Sequence, residues 1–272
     1  MDLHTITGYR YARSRGDLRL AAGERLVAGG TWFFSEPQVD ASGIVDISEM
    51  GWPALEDLPD HGLRIGATCT IAELAALPVR PGWSAQPLFG ACANALLASF
   101  KIWNVATVGG NICRSFAAAS MVSLTAGLDG VAVIWCPDGT DRRIPVAEFV
   151  TGNGTNQLRD GEVLRAVDIP ATAMQGHTAF RTIALADLGR SGAVVTGRHD
   201  HDGAMTIGVT AATPRPAVLR YPSPPSAARL HRDVSLLDGY YSDPLGAADW
   251  RRAVSAVLAE EIRTELLERV AP

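Results

Sequence analysis

Hydrophobic positions in the first two thirds of the chain fall mostly in short runs. The stretches 25–28, 44–47, 63–67, 131–135, 143–146 and 162–169 are rich in Val, Ile and Leu and bounded by Gly or Pro, so each predicts a β-strand. Helical signals lie between them. Thr70 and Glu73 have capping-box spacing, which predicts a short helix to Leu77, ahead of Pro78. Residues 87–98 predict a second helix with Leu88, Phe89, Cys92, Ala95 and Leu96 inward, and 117–128 is small and apolar throughout, a helix packed closely against something. The Arg- and Ala-rich segment 9–24, ending at Gly23, predicts a helix near the start, and 52–62 a loop. Beyond Pro170 the pattern changes. Runs at 178–185, 191–198 and 204–212 predict an antiparallel meander, the Pro-rich 214–225 a loop, and Trp250, Val254, Val257, Leu258, Ile262 and Leu266 one face of a long final helix. The fold class is α+β, with domains 1–172 (subdomains about 1–57 and 58–172) and 173–272.

Two places interrupt this pattern in the same way. L-V-A-G-G-T-W at 26–32 runs a strand into Gly29 and Gly30. At 101–114, K-I-W-N-V-A-T-V-G-G-N-I-C-R, the β-branched positions Ile102, Val105, Thr107 and Val108 predict another strand, running into Gly109, Gly110 and Asn111. Paired glycines leave main-chain N–H groups uncovered by any Cβ, so an anion or a dinucleotide can approach the backbone. Neither place fits G-x-G-x-x-G, and neither carries the lysine of a P-loop, since Lys101 is the sole lysine in the chain.

Composition narrows the function. A net charge of −5 argues against a nucleic-acid partner, which needs a basic face. No window approaches the roughly 18 apolar residues of a membrane span, and Met1 to Thr5 lack a signal-peptide pattern, so a cytoplasmic location is expected. Cys69, Cys92, Cys113 and Cys136 form no C-x-x-C pair, so the chain should hold buried free thiols and no cluster of its own. His199 and His201, two apart on a polar turn, are expected to face solvent rather than a metal. No nucleophile or acid–base constellation is visible, so catalytic residues are not expected.

The two glycine stretches resemble the flavin-binding motifs of molybdenum-hydroxylase FAD subunits, the medium chain of carbon monoxide dehydrogenase and the FAD domain of xanthine dehydrogenase. With I-V-D-I-S (44–48), L-R-I-G-A-T-C-T-I-A-E-L (63–74), D-G-E-V-L-R-A-V-D-I-P (160–170) and G-V-T-A-A-T-P-R-P (208–216), the resemblance covers nearly the whole chain. It implies a two-motif (PCMH-type) FAD-binding domain of two α/β subdomains, followed by an antiparallel sheet with helices. FAD would be non-covalent, as no histidine lies near either motif. Val27, Ala28, Gly29, Gly30, Thr31 and Trp32, with Ala106, Thr107, Val108, Gly109, Gly110 and Asn111, would hold the diphosphate and approach the isoalloxazine. Leu164 would pack near the adenine, and Arg181 would lie near the flavin or else be a solvated strand arginine.

The resemblance further implies an electron-transfer subunit of a heterotrimer, paired as a dimer of heterotrimers. A small chain would carry two [2Fe–2S] clusters and a large chain molybdopterin, with NAD⁺, oxygen or a quinone as acceptor. A self-contained flavin oxidase or reductase and a flavin-free bridging subunit are the alternatives. Trp103 stands where relatives often have arginine, and Phe116 and Ser120 where they often have aspartate. Trp32, Phe33 and Trp103 either stack on the ring or belong to the core, and two of the three are expected to be core.

Overall fold

The computed structural model describes residues 3–270. Strands β1 (Gly8–Tyr11), β2 (Glu24–Val27) and β3 (Gly43–Asp46) form a parallel sheet in the order β1-β3-β2, with Ile44 and Val45 of the central strand buried. The helix expected over 9–24 does not form. Its residues make β1 and a 3-10 turn over Arg15–Leu18. Gly23 adopts φ +82°, and the arginines serve tertiary ion pairs: Arg10 with Glu24, Arg13 with Glu49, Arg15 with Asp141.

Because β1 and β2 flank β3, the Arg10–Glu24 fork at 2.8 and 2.7 Å ties the two edges of this sheet. Its bonds from Arg10, with a further one from the Ala21 N–H, hold the Glu24 carboxyl at about 2, below its ordinary 4.5. A depressed carboxyl contributes stability above its unfolded pKa and loses it as pH falls through the folded value, here between 4.5 and 2. Urea midpoints should therefore drop more steeply over that range in the wild type than in Glu24→Gln. Parallel curves would refute the assignment.

β4 (Leu55–Asp57) and β5 (Leu63–Gly66) begin the second unit, followed by α1 (Ile71–Ala75), α2 (Pro87–Ala95), α3 (Phe100–Trp103), α4 (Val108–Arg114) and α5 (Ser120–Gly127). Next come β6 (Val131–Trp135), β7 (Asp141–Pro145), α6 (Val146–Phe149), the hairpin β8 (Val150–Gly152) and β9 (Thr155–Asn156), and β10 (Val163–Ile169). The antiparallel sheet runs β4-β5-β10-β6-β7. The capping box forms as expected, Glu73 N–H donating to Thr70 Oγ1 at 3.1 Å and Thr70 N–H to Glu73 Oε2 at 2.8 Å. The strand expected over 102–108 is replaced by α3 and α4. Thr107 is the N-cap of α4, its Oγ1 accepting the Gly110 N–H at 3.0 Å, and what remains of strand character is one bridge to Thr70.

After β10 come α7 (Ala171–Gln175), β11 (His177–Ile183), β12 (Ala193–His199), β13 (Met205–Thr210), β14 (Ala217–Tyr221), α8 (Ala227–Ser235) and α9 (Ala248–Val270). The meander is present, with a fourth strand inside the Pro-rich stretch expected to be a loop. Pro216 and Pro222 stand immediately outside β14, bounding an edge strand without breaking its ladder. On α9, Leu258, Ile262 and Leu266 face inward, but Val257 is 56% exposed. The fully buried Arg251 holds the helix start instead, donating to the carbonyls of Gly192 (2.7 Å) and Gly246 (3.1 Å) and pairing with Asp243. Every residue of α5 is buried because it lies between strands β12 and β13 on one side and helices α2, α4 and α6 on the others. Ser123 and Thr210 hydroxyls meet at 2.6 Å, and a Cβ on Gly127 would come within 2.6 Å of Thr196 Oγ1. No helix among the described residues is long and apolar enough to cross a membrane.

Candidate functional site

The two glycine stretches touch. A Cβ built on Gly29 would fall 2.6 Å from the Val105 carbonyl carbon and closer still to its oxygen, so the first loop lies directly on the main chain leading into α4. Above this contact is an open cavity of about 710 Å³. Val27, Ala28, Gly29, Gly30, Thr31 and Trp32 line one wall, and Ala106, Thr107, Gly110 and Asn111 the other. Leu96, Ile102, Arg114 and Phe116 complete its sides.

The four glycines have different tasks. Gly29 permits the contact between the loops, and Gly30 takes φ +67° against the Phe34 ring. Gly109 packs on the exit of β5, where a Cβ would lie 2.5 Å from that of Ala67. Gly110 faces the cavity. A Cβ there would meet Thr107 Oγ1 at 2.9 Å and nothing else within 4 Å.

Main-chain donors divide in the same uneven way. In the second stretch Val108 N–H donates to Cys69 O (2.8 Å), Gly109 to Ala67 O (3.0 Å), Gly110 to Thr107 Oγ1 (3.0 Å) and Asn111 to Thr107 O (2.9 Å). All four are committed. In the first stretch the N–H groups of Gly29, Gly30, Thr31 and Trp32 make no hydrogen bond to the described residues. The turn 29–32 thus presents consecutive free donors, a concavity suited to an anion, whereas 107–111 is a scaffold. Asn111 pins the start of α5, its Oδ1 accepting the Met121 N–H at 2.9 Å, which leaves its NH₂ toward the cavity.

Four expected residues do not line this cavity. Val108 and Gly109 are buried beneath its floor, and Leu164 is 3% exposed in the sheet core beside Ile134 of β6. Arg181 is ion-paired to Glu261 (3.2 Å) and Glu265 (2.7 Å) of α9, in a separate groove of about 790 Å³. That larger groove is rimmed by Glu260, Glu261, Glu265 and Glu268, which would repel a phosphate. Trp103 packs against a core cluster, Phe33 belongs to another while also lining the cavity, and Trp32 faces the cavity.

Arg114 was missed by the sequence reading, although its spacing carries a signal. As part of α4, residue 114 falls one turn after Gly110 and on the same face. Its guanidinium lies 3.6 Å from the centroid of the Trp32 ring and 4.3 Å from that of Phe116. Burial pushes its pKa below the ordinary arginine value. With Arg25, it gives the lining two cations and no carboxylate, in a chain whose net charge is −5. Cys113, also in the lining, is held protonated by burial, which raises its thiol to about 12. Among the described residues no group of three or more His, Cys, Asp or Glu is placed to hold a metal. Free main-chain donors, two arginines and aromatic faces together suit a large anionic ligand with planar parts.

A family model described as "FAD binding domain in molybdopterin dehydrogenase" matches residues 18–172. The putative xanthine dehydrogenase FAD-binding subunit XdhB of Escherichia coli (strain K12) is 36% identical over 112 residues, which are 41% of this chain and 37% of that relative's own length. Among solved structures, quinoline 2-oxidoreductase from Pseudomonas putida 86 aligns with TM-score 0.81 at 20% identity, over 96% of each chain. Reconstituted CO dehydrogenase from Oligotropha carboxidovorans aligns with TM-score 0.82 at 18% identity, over 98% of each chain. These structures share the fold over nearly the full length. The family model spans more than half of the chain and both glycine stretches, and the chain belongs to the FAD-binding domain family of the molybdopterin dehydrogenases, flavoprotein components of oxidoreductases.

Proposed function

We propose that this chain binds FAD without a covalent link in the cavity between 29–32 and α4, and serves as the electron-transfer subunit of a molybdenum hydroxylase. The observation that carries the reading is the cavity itself: about 710 Å³, lined by both glycine stretches, with free main-chain donors and no carboxylate. A dinucleotide diphosphate needs such donors, and Gly110 leaves open the space that a side chain would fill. Bound FAD supplies the redox chemistry, accepting electrons and passing them on. The chain's own residues bind it, orient it and limit water. Thr107 fixes the start of α4, Asn111 locks α4 to α5, and Trp32 with Phe116 provides an aromatic wall.

The likeness to xanthine and CO dehydrogenase subunits supports partner chains of the corresponding kinds, one carrying [2Fe–2S] clusters and one molybdopterin, in a dimer of heterotrimers. NAD⁺, oxygen or a quinone would be the acceptor. Domains 1–172 and 173–272 fit this division of labour, the first holding the cofactor and the second covering α5.

The test is direct. The purified chain should be yellow, or become so on adding FAD, with one flavin per chain released on denaturation. A colourless protein that cannot be reconstituted would sink the proposal, and a yellow one that oxidises small substrates unaided would replace the electron-transfer role with a self-contained oxidase.

A further inference from the structure

Arg114 differs from the other arginines drawn into this fold. Arg64 reaches Asp168 at 2.7 Å, Arg142 reaches Glu162 at 2.5 Å, Arg198 reaches Asp129 at 2.5 Å and Arg251 reaches Asp243 at 2.5 Å. Arg114 has no ion pair and no hydrogen bond among the described residues, and its Nε is fully buried without a partner. Arg165 is comparably placed, stacked on Trp52, but it lies outside the cavity lining. Arg114 is half-buried, its Nε is shielded from water without a partner, and Glu36 favours its charge only from beyond ion-pair distance. Such a cation is costly, so its retention at the wall of an open cavity points to an anion supplied from outside the chain.

The aromatic faces hold the guanidinium in place without neutralising it, leaving its N–H donors for a ligand. Trp32 joins the two halves of the arrangement. Its main-chain N–H is the last free donor of the 29–32 turn, and its ring lies against Arg114. The free donors and the cation therefore belong to neighbouring residues that line the same cavity.

We infer that Arg114 is a ligand-binding residue that pairs with the diphosphate of the dinucleotide rather than with its flavin ring, completing the anion site begun by the 29–32 turn. The inference rests on the FAD reading and adds the charge that reading lacks. The first stretch offers neutral donors and the second offers none, so the guanidinium supplies the counter-charge at the cavity wall.

Affinities for three probes separate the possibilities: FAD, ADP (diphosphate without the ring) and riboflavin (ring without phosphate). The wild type, Arg114→Gln and Arg114→Lys would each be titrated, ADP by competition with FAD, after circular dichroism has shown the variants folded. Arg114→Gln should weaken FAD and ADP by roughly 10- to 100-fold, the worth of a charge-assisted pair, and leave riboflavin unchanged. Its FAD affinity should also depend less on NaCl, and Arg114→Lys should recover part of the loss because it keeps the charge and loses the fork. Riboflavin weakened with ADP unchanged would place Arg114 on the ring and overturn the inference. Unaltered FAD and ADP affinities would overturn it too, with the FAD reading intact. A wild type that binds neither FAD nor ADP would remove both.

Discussion

Gly29→Ala is expected to leave the chain without flavin and measurably less stable. The added methyl would have to occupy the position of the Val105 carbonyl, whose carbon lies 2.6 Å from the ideal Cβ. A side chain can rotate away from an intruding methyl. A carbonyl fixed between Ala106, whose own carbonyl accepts the Ile71 N–H at 2.9 Å, and the end of α3 cannot. The two loops must part, which enlarges the cavity mouth and moves the 29–32 donors away from α4. Overpacking of this kind costs about 1–3 kcal/mol, and a main-chain obstacle puts the cost at the upper end. The urea midpoint should fall accordingly, and absorbance near 450 nm in the purified protein should be lost. Gly30→Ala provides a graded comparison. There the strain is one residue at φ +67° and a Phe34 ring that can turn, so part of the flavin should remain. A Gly29→Ala protein with full flavin and wild-type stability would show that the contact between the two stretches does not shape the site.

What could be read from the sequence, and what could not, follows from where the determinants lie. The Thr70–Glu73 capping box is local, and so is the alternation that builds the meander, so both forms appear as expected. The small, mostly apolar stretch at 117–128 also becomes a buried helix, because it needs partners on every side and the fold supplies β12, β13 and three helices. Segment 9–24 misleads because its Arg and Ala residues have helical propensity while its arginines answer to Glu24, Glu49 and Asp141, distant in sequence or across strands. Segment 102–108 misleads in the opposite sense. Its β-branched residues suggest a strand, yet one hydroxyl, Thr107 Oγ1, starts a helix there.

The site shows the same division. Both glycine pairs were legible as places where backbone lies bare. Which glycine serves packing and which faces a ligand depends on Ala67, Val105 and Phe34, residues that no periodicity connects to them. Leu164 and Arg181 were expected at the cofactor by resemblance alone. The sheet core around β10 and the carboxylates of α9 hold them outside the lining of this cavity.

Gly110→Val is expected to separate cofactor binding from folding. The ideal Cβ at this position meets Thr107 Oγ1 at 2.9 Å and otherwise opens into the cavity, so the isopropyl group displaces ligand rather than protein. Within a helix, valine is if anything preferred to glycine by a few tenths of a kcal/mol, which offsets a small adjustment of the Thr107 cap. The variant should therefore unfold at nearly the wild-type urea midpoint, while FAD affinity falls by about 100-fold or more and the protein purifies colourless. Gly110→Ala, lacking the branch, should retain an intermediate affinity. The contrast with Gly29→Ala carries the argument. One glycine is needed so that two pieces of chain can touch, and its loss should be felt by stability and flavin together. The other is needed so that the chain stays out of the ligand's space, and its loss should be felt by flavin alone. A folded Gly110→Val protein that keeps one tightly bound FAD per chain would move the cofactor to a different wall of the cavity and end the assignment of α4 to its diphosphate side.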